Sequence, residues 1–167
     1  MHMHRNQRKR CAVPEAAAAV TSEHDRATPS TSCVCTAVRR ADRALNRLYD
    51  EALRPSGLTT TQYALLSTLA RAGQPLLHSR LADMQGMAGT TLSRNLKPLV
   101  RDGLVRITPG EDRRTHFVSM TAEGEALLER ARPLWQSVQA DLVADVGAER
   151  IDRLLEELST LVMRLRT

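Results

Sequence analysis

The residues best suited to chemistry in this sequence lie on one face of a predicted helix that spans residues 90–101. On a wheel of about 100° per residue with Leu92 at the origin, the leucines and Val100 fall together on one side. The opposite side holds cations, a hydroxyl and a proline, without a carboxylate: Thr90, Arg94, Lys97, Pro98 and Arg101. Hydroxyls near a helix N-terminus suit phosphate groups, and arginine suits the guanine edge. An ordinary solvent-exposed face has the same composition, so the helix alone leaves both interpretations open.

A charged turn follows this helix and favours the first interpretation. Residues 111–114 read Glu-Asp-Arg-Arg and lie between two predicted strands, residues 104–107 and 116–120. Such a hairpin projects guanidinium groups beyond the body of the domain, and arginine in a narrow minor groove gains from the negative potential there. Asp112 repels phosphate, so we expect it to orient a neighbouring arginine or to cap the turn. Helix and hairpin together predict a surface that grips duplex nucleic acid.

Charge is distributed unevenly along the chain and agrees with this prediction. The net charge is +5 at pH 7; residues 61–117 hold eight Lys/Arg against four Asp/Glu, whereas residues 118–167 hold six against nine. A basic centre beside an acidic end indicates a polyanionic partner. No apolar run is long enough to span a membrane, and the odd count of three cysteines disfavours a disulfide framework. We therefore expect a cytoplasmic protein.

Motifs of the common catalytic and cofactor sites are missing from the sequence. It has no Gly-rich phosphate loop, no His-Glu-x-x-His and no Gly-x-Ser-x-Gly. His78 and His116 are isolated, and we interpret them as a helix-end residue and a strand residue rather than as bases. We therefore expect no enzyme and no cofactor, and we assign no metal site.

The elements that position the proposed surface can be placed from the apolar pattern. Residues 1–32 are poor in large apolar side chains and predict a disordered tail. Residues 33–57 predict a long helix with one apolar stripe, residues 58–121 a module of three short helices and a hairpin, and residues 122–167 two further striped helices. The expected fold is mainly α with a small β-hairpin wing: a winged helix-turn-helix flanked by long N- and C-terminal dimerisation helices. An interface shared by two copies would bury the stripes.

Three segments give the sequence a recognisable resemblance: GLTTTQYALLSTLA, RLADMQGMAGTTLSRNLKPLVRDGLV and DRRTHFVSMTAEG. Residues 58–124 resemble the DNA-binding region of the MarR family of bacterial transcription regulators, and the likeness extends less specifically over the flanking helices. The resemblance implies a homodimer in which two winged modules read a pseudo-palindromic DNA site. The sequence departs from the family pattern at Ala88 and Gly89, where a helix cap and a basic residue are common, and at Leu77, where a capping threonine is common.

The resemblance also assigns roles to residues of the proposed surface. The residues that would face the major groove lie on the recognition helix: Thr90, Thr91, Ser93, Arg94 and Lys97. Arg114 would enter the minor groove with Asp112 bracing it, and Arg113 would lie near phosphate.

Two neighbouring cysteines raise the question of a sensor. Family members release DNA when a small phenolic or aromatic compound binds between the dimer helices and the winged module, or when a cysteine is oxidised. Cys35 and Tyr49 match by position the reactive cysteine and one supporting tyrosine of the organic-hydroperoxide sensors, whereas Arg39 and Thr60 replace two other tyrosines. Cys33 and Cys35 therefore have three interpretations: structural residues, redox-sensing thiols or a Cys-x-Cys metal site. Because they point about 200° apart on a helix, a disulfide between them within one chain needs unwinding.

The sequence as a whole predicts a homodimeric, sequence-specific DNA-binding regulator, a repressor that a small ligand or thiol oxidation relieves. Its expected partners are double-stranded DNA, a second copy of the chain and a small-molecule effector, with no membrane. The alternative is a winged-helix scaffold that binds protein without specific DNA binding. Salt-dependent duplex binding separates the two, because phosphate contacts give a steep salt slope.

Overall fold

The computed structural model describes residues 33–112 and 115–165. Three sets of residues lie outside the described part of the chain: residues 1–32, 113–114 and 166–167. The disordered tail and the roles of Arg113 and Arg114 therefore stay predictions.

Helices make up most of the described chain, and they accompany a small sheet. In chain order the elements are α1 (Val34–Leu53), a 3-10 turn (Arg54–Ser56), α2 (Thr60–Ala72), β1 (Leu76–Leu77), α3 (His78–Met84), α4 (Gly89–Arg101), β2 (Val105–Pro109), β3 (His116–Met120), α5 (Ala122–Val146) and α6 (Ala148–Leu165). The described chain divides into two units, one that ends at Ala41 and one that begins at Asp42. The first turns of α1 belong to the first unit and the rest of the described chain to the second. The predicted fold class, mainly α with a hairpin wing, is confirmed.

The sheet has three antiparallel strands in the order β1-β3-β2. β2 and β3 form the predicted hairpin, in which Val105 lies opposite Met120 and Pro109 lies opposite His116. The third strand, β1, is only two residues long and pairs with the middle of β3. The wing is therefore held against the segment that leads into α3.

Threonine side chains fix where α2 and α5 begin. The Thr59 hydroxyl accepts a hydrogen bond from the Gln62 amide at 3.3 Å, and the Gln62 side chain accepts one from the Thr59 amide at 2.9 Å. This reciprocal pair satisfies two amides that a helix start would otherwise leave open. At α5, the Thr121 hydroxyl accepts from the Gly124 amide at 3.1 Å and donates to the Gly103 carbonyl at 2.7 Å. The second cap therefore also ties α5 to the turn that follows α4.

An aliphatic core in the second unit holds the winged module together and joins it to α5. The largest fully buried side chains are Leu53, Leu65, Leu66, Leu81, Leu92, Leu96, Leu99, Leu128 and Val118. Each leucine contributes about 1.5–3 kcal/mol by leaving water, so the three leucines of α4 fix the rotation of that helix. The wheel was wrong about Val100, which is 40% exposed, because it lies about 80° from Leu92 at the edge of the stripe.

The terminal helices keep apolar side chains on the surface of the single chain. No residue of α6 is buried, and its exposed large apolar side chains are Leu154, Leu155, Leu161, Val162, Met163 and Leu165. Leu45 and Leu48 of α1 are 41% and 42% exposed. Large apolar side chains left exposed in this number indicate an interaction site. No helix in the described ranges has both the length and the apolar content of a membrane span.

Candidate nucleic-acid interface

Helix α4 presents the hydroxyl-and-cation face that the sequence predicts. Leu92, Leu96 and Leu99 are buried and point this side of the helix into the core. The side chains predicted to face the major groove are all exposed: Thr90, Thr91, Ser93, Arg94 and Lys97. The structure therefore brings the five together on the outer side of one helix.

The first turn of α4 lacks a side-chain cap. Ala88 is the N-cap residue, and its backbone is extended, with φ −66° and ψ 147°. The Ala88 carbonyl accepts hydrogen bonds from the amides of Thr91 at 2.9 Å and Leu92 at 3.0 Å, but its side chain makes none to the helix. The remaining amides of the first turn are left to water or to an external acceptor. A phosphate oxygen is the acceptor that a helix N-terminus favours.

An ion pair closes the other end of α4. The Nε atom of Arg101 lies 2.7 Å from Oδ1 of Asp102, and both side chains are exposed. The hydrogen bond from Arg101 lowers the pKa of the Asp102 carboxyl, and the same bond raises the pKa of the guanidinium. An exposed pair contributes little to stability. Its effect is local neutralisation, which leaves Arg94 and Lys97 as the main cations of the outer face.

Hydrogen bonds within the hairpin hold the backbone on both sides of its charged tip in place. The Gly110 amide donates to the Thr115 carbonyl at 2.9 Å. The amide and the hydroxyl of Thr115 both donate to the Asp112 carbonyl, at 2.9 Å and 2.8 Å. The Asp112 side chain is exposed. Its proposed bracing of Arg114 involves a residue outside the described part and stays a prediction, as does the place of Arg113 near phosphate.

A cavity of about 360 Å³ lies between α4 and the hairpin. The residues that line it are Leu77, His78, Ser79, Ser93, Ile107, Thr115 and His116. The Nε2 atom of His78 lies 3.0 Å from the Oγ atom of Ser93. His78 and His116, which look isolated in the sequence, thus share one cavity beside the recognition helix. No third His, Cys, Asp or Glu within residues 33–112 and 115–165 joins them in a metal-binding group.

A second cavity, of about 380 Å³, is lined mainly by α2 and α5. One of its walls is Trp135, whose ring centroid lies 5.8 Å from that of Tyr63 and 6.4 Å from that of Tyr49. The interplanar angles of 15° and 24° make these three rings an aromatic column. Arg71 and Arg132 also line the cavity. Flat rings beside two guanidinium groups suit an aromatic anion.

The three residues predicted to sense oxidants have different settings. Cys33 directly precedes α1, Cys35 lies in its first turn, and both are exposed free thiols. Hydrogen bonds from the backbone and side chain of Thr36, and then from the Cys35 amide, lower the pKa of the Cys33 thiol. Burial raises the pKa of Tyr49, whose hydroxyl hydrogen-bonds to the side chain of Gln139. Cys33 is therefore the thiol with helix-terminal donors that favour a thiolate.

Known proteins share both the sequence pattern and the fold. Residues 56–115 match the model of the MarR family. An HTH-type transcriptional regulator of Bacillus cereus is 36% identical over 117 residues, which cover 70% of this chain and 78% of the relative.

Solved structures extend the likeness to the flanking helices. The transcriptional regulator MosR of M. tuberculosis, solved in complex with DNA, is 42% identical with a TM-score of 0.72, and the match covers 81% of this chain and 100% of that one. A cysteine variant of E. coli MarR, solved with operator DNA, shares the fold at 24% identity, with a TM-score of 0.68 over 76% of this chain and 91% of that one. The chain therefore belongs to the MarR family of winged helix-turn-helix transcription regulators.

Proposed function

We propose that the protein is a homodimeric repressor in the cytoplasm that binds a pseudo-palindromic DNA site and leaves it when a small ligand binds or a thiol is oxidised. The observation that carries the proposal is the outer face of α4, where hydroxyl and cationic side chains are exposed beside an uncapped helix start. The relative MosR was solved with DNA, which supports the same kind of target for this chain.

In the proposed complex α4 lies in the major groove and makes two kinds of contact. Arg94 has the fork of donors that pairs with O6 and N7 of guanine. Lys97 is a point charge and serves phosphate, as do the hydroxyls of Thr90 and Thr91 near the helix start. Ser93 lies between them and can reach either a base edge or a phosphate.

The wing completes the grip on the duplex in the minor groove. Arg114 enters that groove, Asp112 braces it and Arg113 lies near a phosphate. Arginine gains there from the enhanced negative potential of a narrow groove. The backbone of the tip is prepared for this role, because Thr115 ties the Asp112 carbonyl through two hydrogen bonds.

Replacement of Arg94 with alanine is expected to weaken binding by about 1–3 kcal/mol and to relax the base preference at one position of each half-site. The matched control is Arg101→Ala, which removes the same charge from the same helix. Because Arg101 is already paired with Asp102, we expect Arg101→Ala to weaken duplex binding by about twofold or less. Fluorescence anisotropy with a selected duplex measures both. Equal losses of affinity in the two variants, without a change in base preference for Arg94→Ala, would contradict base reading by Arg94.

The uncovered apolar stripes support a second copy of the chain as the partner of the terminal helices. The apolar side chains of α6 and the leucines Leu45 and Leu48 of α1 are exposed in the single chain. Their burial between two copies removes this surface from water. A two-fold axis would also place the two α4 helices in successive major grooves, about 34–36 Å apart, which matches a pseudo-palindromic site.

The cavity between α2 and α5 is the proposed effector site, and an aromatic carboxylate is the proposed chemical class. Trp135 offers a flat apolar surface, and Arg71 and Arg132 offer charge to a carboxylate. Gln85 lines the same cavity, directly after α3, and its amide donates to the Thr68 hydroxyl at 2.7 Å. A ligand that displaces Gln85 would therefore disturb the turn between α3 and α4.

Titration with benzoate is expected to quench the fluorescence of Trp135, the single tryptophan of the chain, and to weaken duplex binding. Arg132→Gln should weaken benzoate binding about tenfold, because the variant keeps a polar side chain but loses the charge. Benzyl alcohol, which lacks the carboxylate, is the control ligand. Quenching by both compounds to the same extent in the variant and the wild type would remove the arginine from the proposed site.

Oxidation of the cysteines is the second proposed signal. Cys35 matches the reactive cysteine of the hydroperoxide sensors by position, but we propose Cys33 as the thiol that reacts first, because the backbone and side chain of Thr36 hydrogen-bond to it. A hydroperoxide would give one oxygen atom to the Cys33 thiolate, which yields a sulfenic acid and, after protonation, an alcohol. The Cys35 thiol of the second copy would then attack the sulfenic sulfur, form a disulfide and release water. The hydrogen bonds from Thr36 and Cys35 that lower the pKa of Cys33 stabilise its thiolate, which is the nucleophilic form of a thiol.

Iodoacetamide at pH 7 is expected to alkylate Cys33 faster than Cys35, and Cys33→Ser should abolish release from DNA by cumene hydroperoxide. Cys35→Ser should stop only the disulfide, which non-reducing electrophoresis detects. Peptide mass spectrometry gives the two alkylation rates. Release of both variants at the wild-type rate would leave the cysteines as structural residues.

Selection of bound fragments from genomic DNA tests the proposed function directly. The wild-type protein is expected to enrich a pseudo-palindromic sequence, and its affinity for that duplex should fall steeply between low and moderate salt. A scaffold that binds only proteins would enrich no sequence, and this outcome would overturn the proposal.

A further inference from the structure

The contact between His78 and Ser93 gives the recognition helix a neighbour that its own sequence does not show. His78 is the first residue of α3, and Ser93 belongs to the exposed face of α4. The Nε2 and Oγ atoms are 3.0 Å apart, which is within hydrogen-bond distance. A side chain outside α4 therefore contacts one of the exposed hydroxyl side chains of α4.

The direction of this hydrogen bond decides what Ser93 can offer to DNA. A hydroxyl has one donor and two acceptor lone pairs. If Nε2 carries the proton, the imidazole donates, and the Ser93 hydroxyl keeps its own proton for an acceptor such as phosphate or guanine O6. If Nε2 is unprotonated, the Ser93 hydroxyl donates its hydrogen bond to His78. It can then only accept from DNA, and its lone pairs suit the amino group of adenine or cytosine.

The surroundings of His78 place it inside the surface that a duplex would cover. The cavity that it lines is bounded on one side by α4 and on the other by the wing residues Thr115 and His116. A duplex held by α4 and the hairpin together must close over this cavity. The first turn of α4 leaves room for the ring, since a Cβ on Gly89 would lie 3.6 Å from Cε1 of His78.

We propose that His78 is a positioning residue for DNA recognition: it holds the Ser93 hydroxyl in one orientation and sets whether that hydroxyl donates or accepts at the duplex. The inference rests on the proposed binding of DNA by α4. It goes further in assigning part of the base preference to a residue at the start of the preceding helix.

A double-mutant cycle on duplex affinity tests the inference. The probe is the duplex that the wild-type protein enriches from a randomised pool. Its dissociation constant is measured for the wild type, His78→Ala, Ser93→Ala and the double variant. We expect each single change to weaken binding about three- to tenfold, the range of one hydrogen bond. In the Ser93→Ala background, His78→Ala should change the constant by less than about twofold, because the residue acts through Ser93.

Base preference provides a readout that a purely structural role would not move. Pools enriched by His78→Ala and by Ser93→Ala should lose preference at the same position of the half-site. His116→Ala is the matched control, since His116 lines the same cavity from the wing; its effect should be the same with serine or alanine at position 93. Should His78→Ala unfold, His78→Leu replaces it, because leucine fills the space without a hydrogen bond.

The outcomes separate this inference from the proposed function. Enrichment of a duplex by the wild type, together with coupling between His78 and Ser93, supports both. In another outcome the wild type enriches a duplex, but the changes in dissociation constant caused by His78→Ala and Ser93→Ala simply multiply in the double variant. That result overturns the positioning role and leaves DNA binding intact, as does wild-type affinity of His78→Ala for the duplex. Coupling of the same size for His116 also overturns it. Failure of the wild type to enrich any duplex overturns the proposed function itself.

Discussion

A chain that carries both Leu155→Glu and Val162→Glu in α6 is expected to fold as a monomer and to lose duplex binding by about 100-fold or more. In the single chain these side chains are 55% and 49% exposed, so the new charges cost the monomer little. Between two copies the same charges would be buried without partners, which opposes association strongly. We expect the affinity to fall because the two winged modules of the proposed dimer would bind as a unit, whereas a monomer would hold only one half-site.

Sedimentation velocity and fluorescence anisotropy measure the two effects, and circular dichroism checks the fold. Thr160→Glu is the control, because it adds a carboxylate on the opposite side of α6; this variant should remain a dimer and bind DNA. A double variant that still sediments as a dimer would place the interface elsewhere. A monomer with wild-type affinity would contradict joint action of the two modules.

Replacement of Gly124 with alanine is expected to lower the free energy of unfolding by about 3 kcal/mol. A Cβ at this position would lie 2.2 Å from the Leu104 carbonyl oxygen and 2.9 Å from Cγ of Met120. The carbonyl cannot simply retreat, because it accepts the hydrogen bond from the Thr121 amide at 3.1 Å. The start of α5 must then move away from the base of the wing, which breaks that contact.

Urea denaturation followed by circular dichroism measures this loss. The control is Gly89→Ala, whose Cβ would meet only the His78 ring at ordinary contact distance and whose helical position favours alanine. The Gly89→Ala variant should unfold at the same urea concentration as the wild type or at a slightly higher one. Equal midpoints for Gly124→Ala and the wild type would mean that the base of the wing adapts to a methyl group.

Periodicity was sufficient to predict the fold class and the orientation of the recognition helix. The spacing of Leu92, Leu96 and Leu99 identifies the buried side of α4, and all three are buried. The same rule misplaced Val100, because burial at the edge of a stripe depends on which neighbouring element covers it. The pairing of strand β1 with β3 could not be predicted, since two residues are too few for an alternating pattern and the pairing is a tertiary contact.

The candidate site was predictable where residues are close in sequence and not where packing brings them together. The hydroxyl and cationic side chains of α4 follow from one helical face. The neighbour of Ser93 does not, since His78 lies 15 residues away on another helix. The column of Tyr49, Trp135 and Tyr63 likewise joins three separate helices. Composition reveals that aromatic residues are scarce, but only the fold shows that these three stack.

The aromatic column of Tyr49, Tyr63 and Trp135 links three helices within the second unit. Trp135 of α5 stacks on Tyr49 of α1 and on Tyr63 of α2, so one indole touches a flanking helix and the first helix of the winged module. A small turn of α5 about its own axis therefore displaces both at once. In the proposed dimer, a compound that binds against this column would therefore change the spacing of the two α4 helices without contacting either of them.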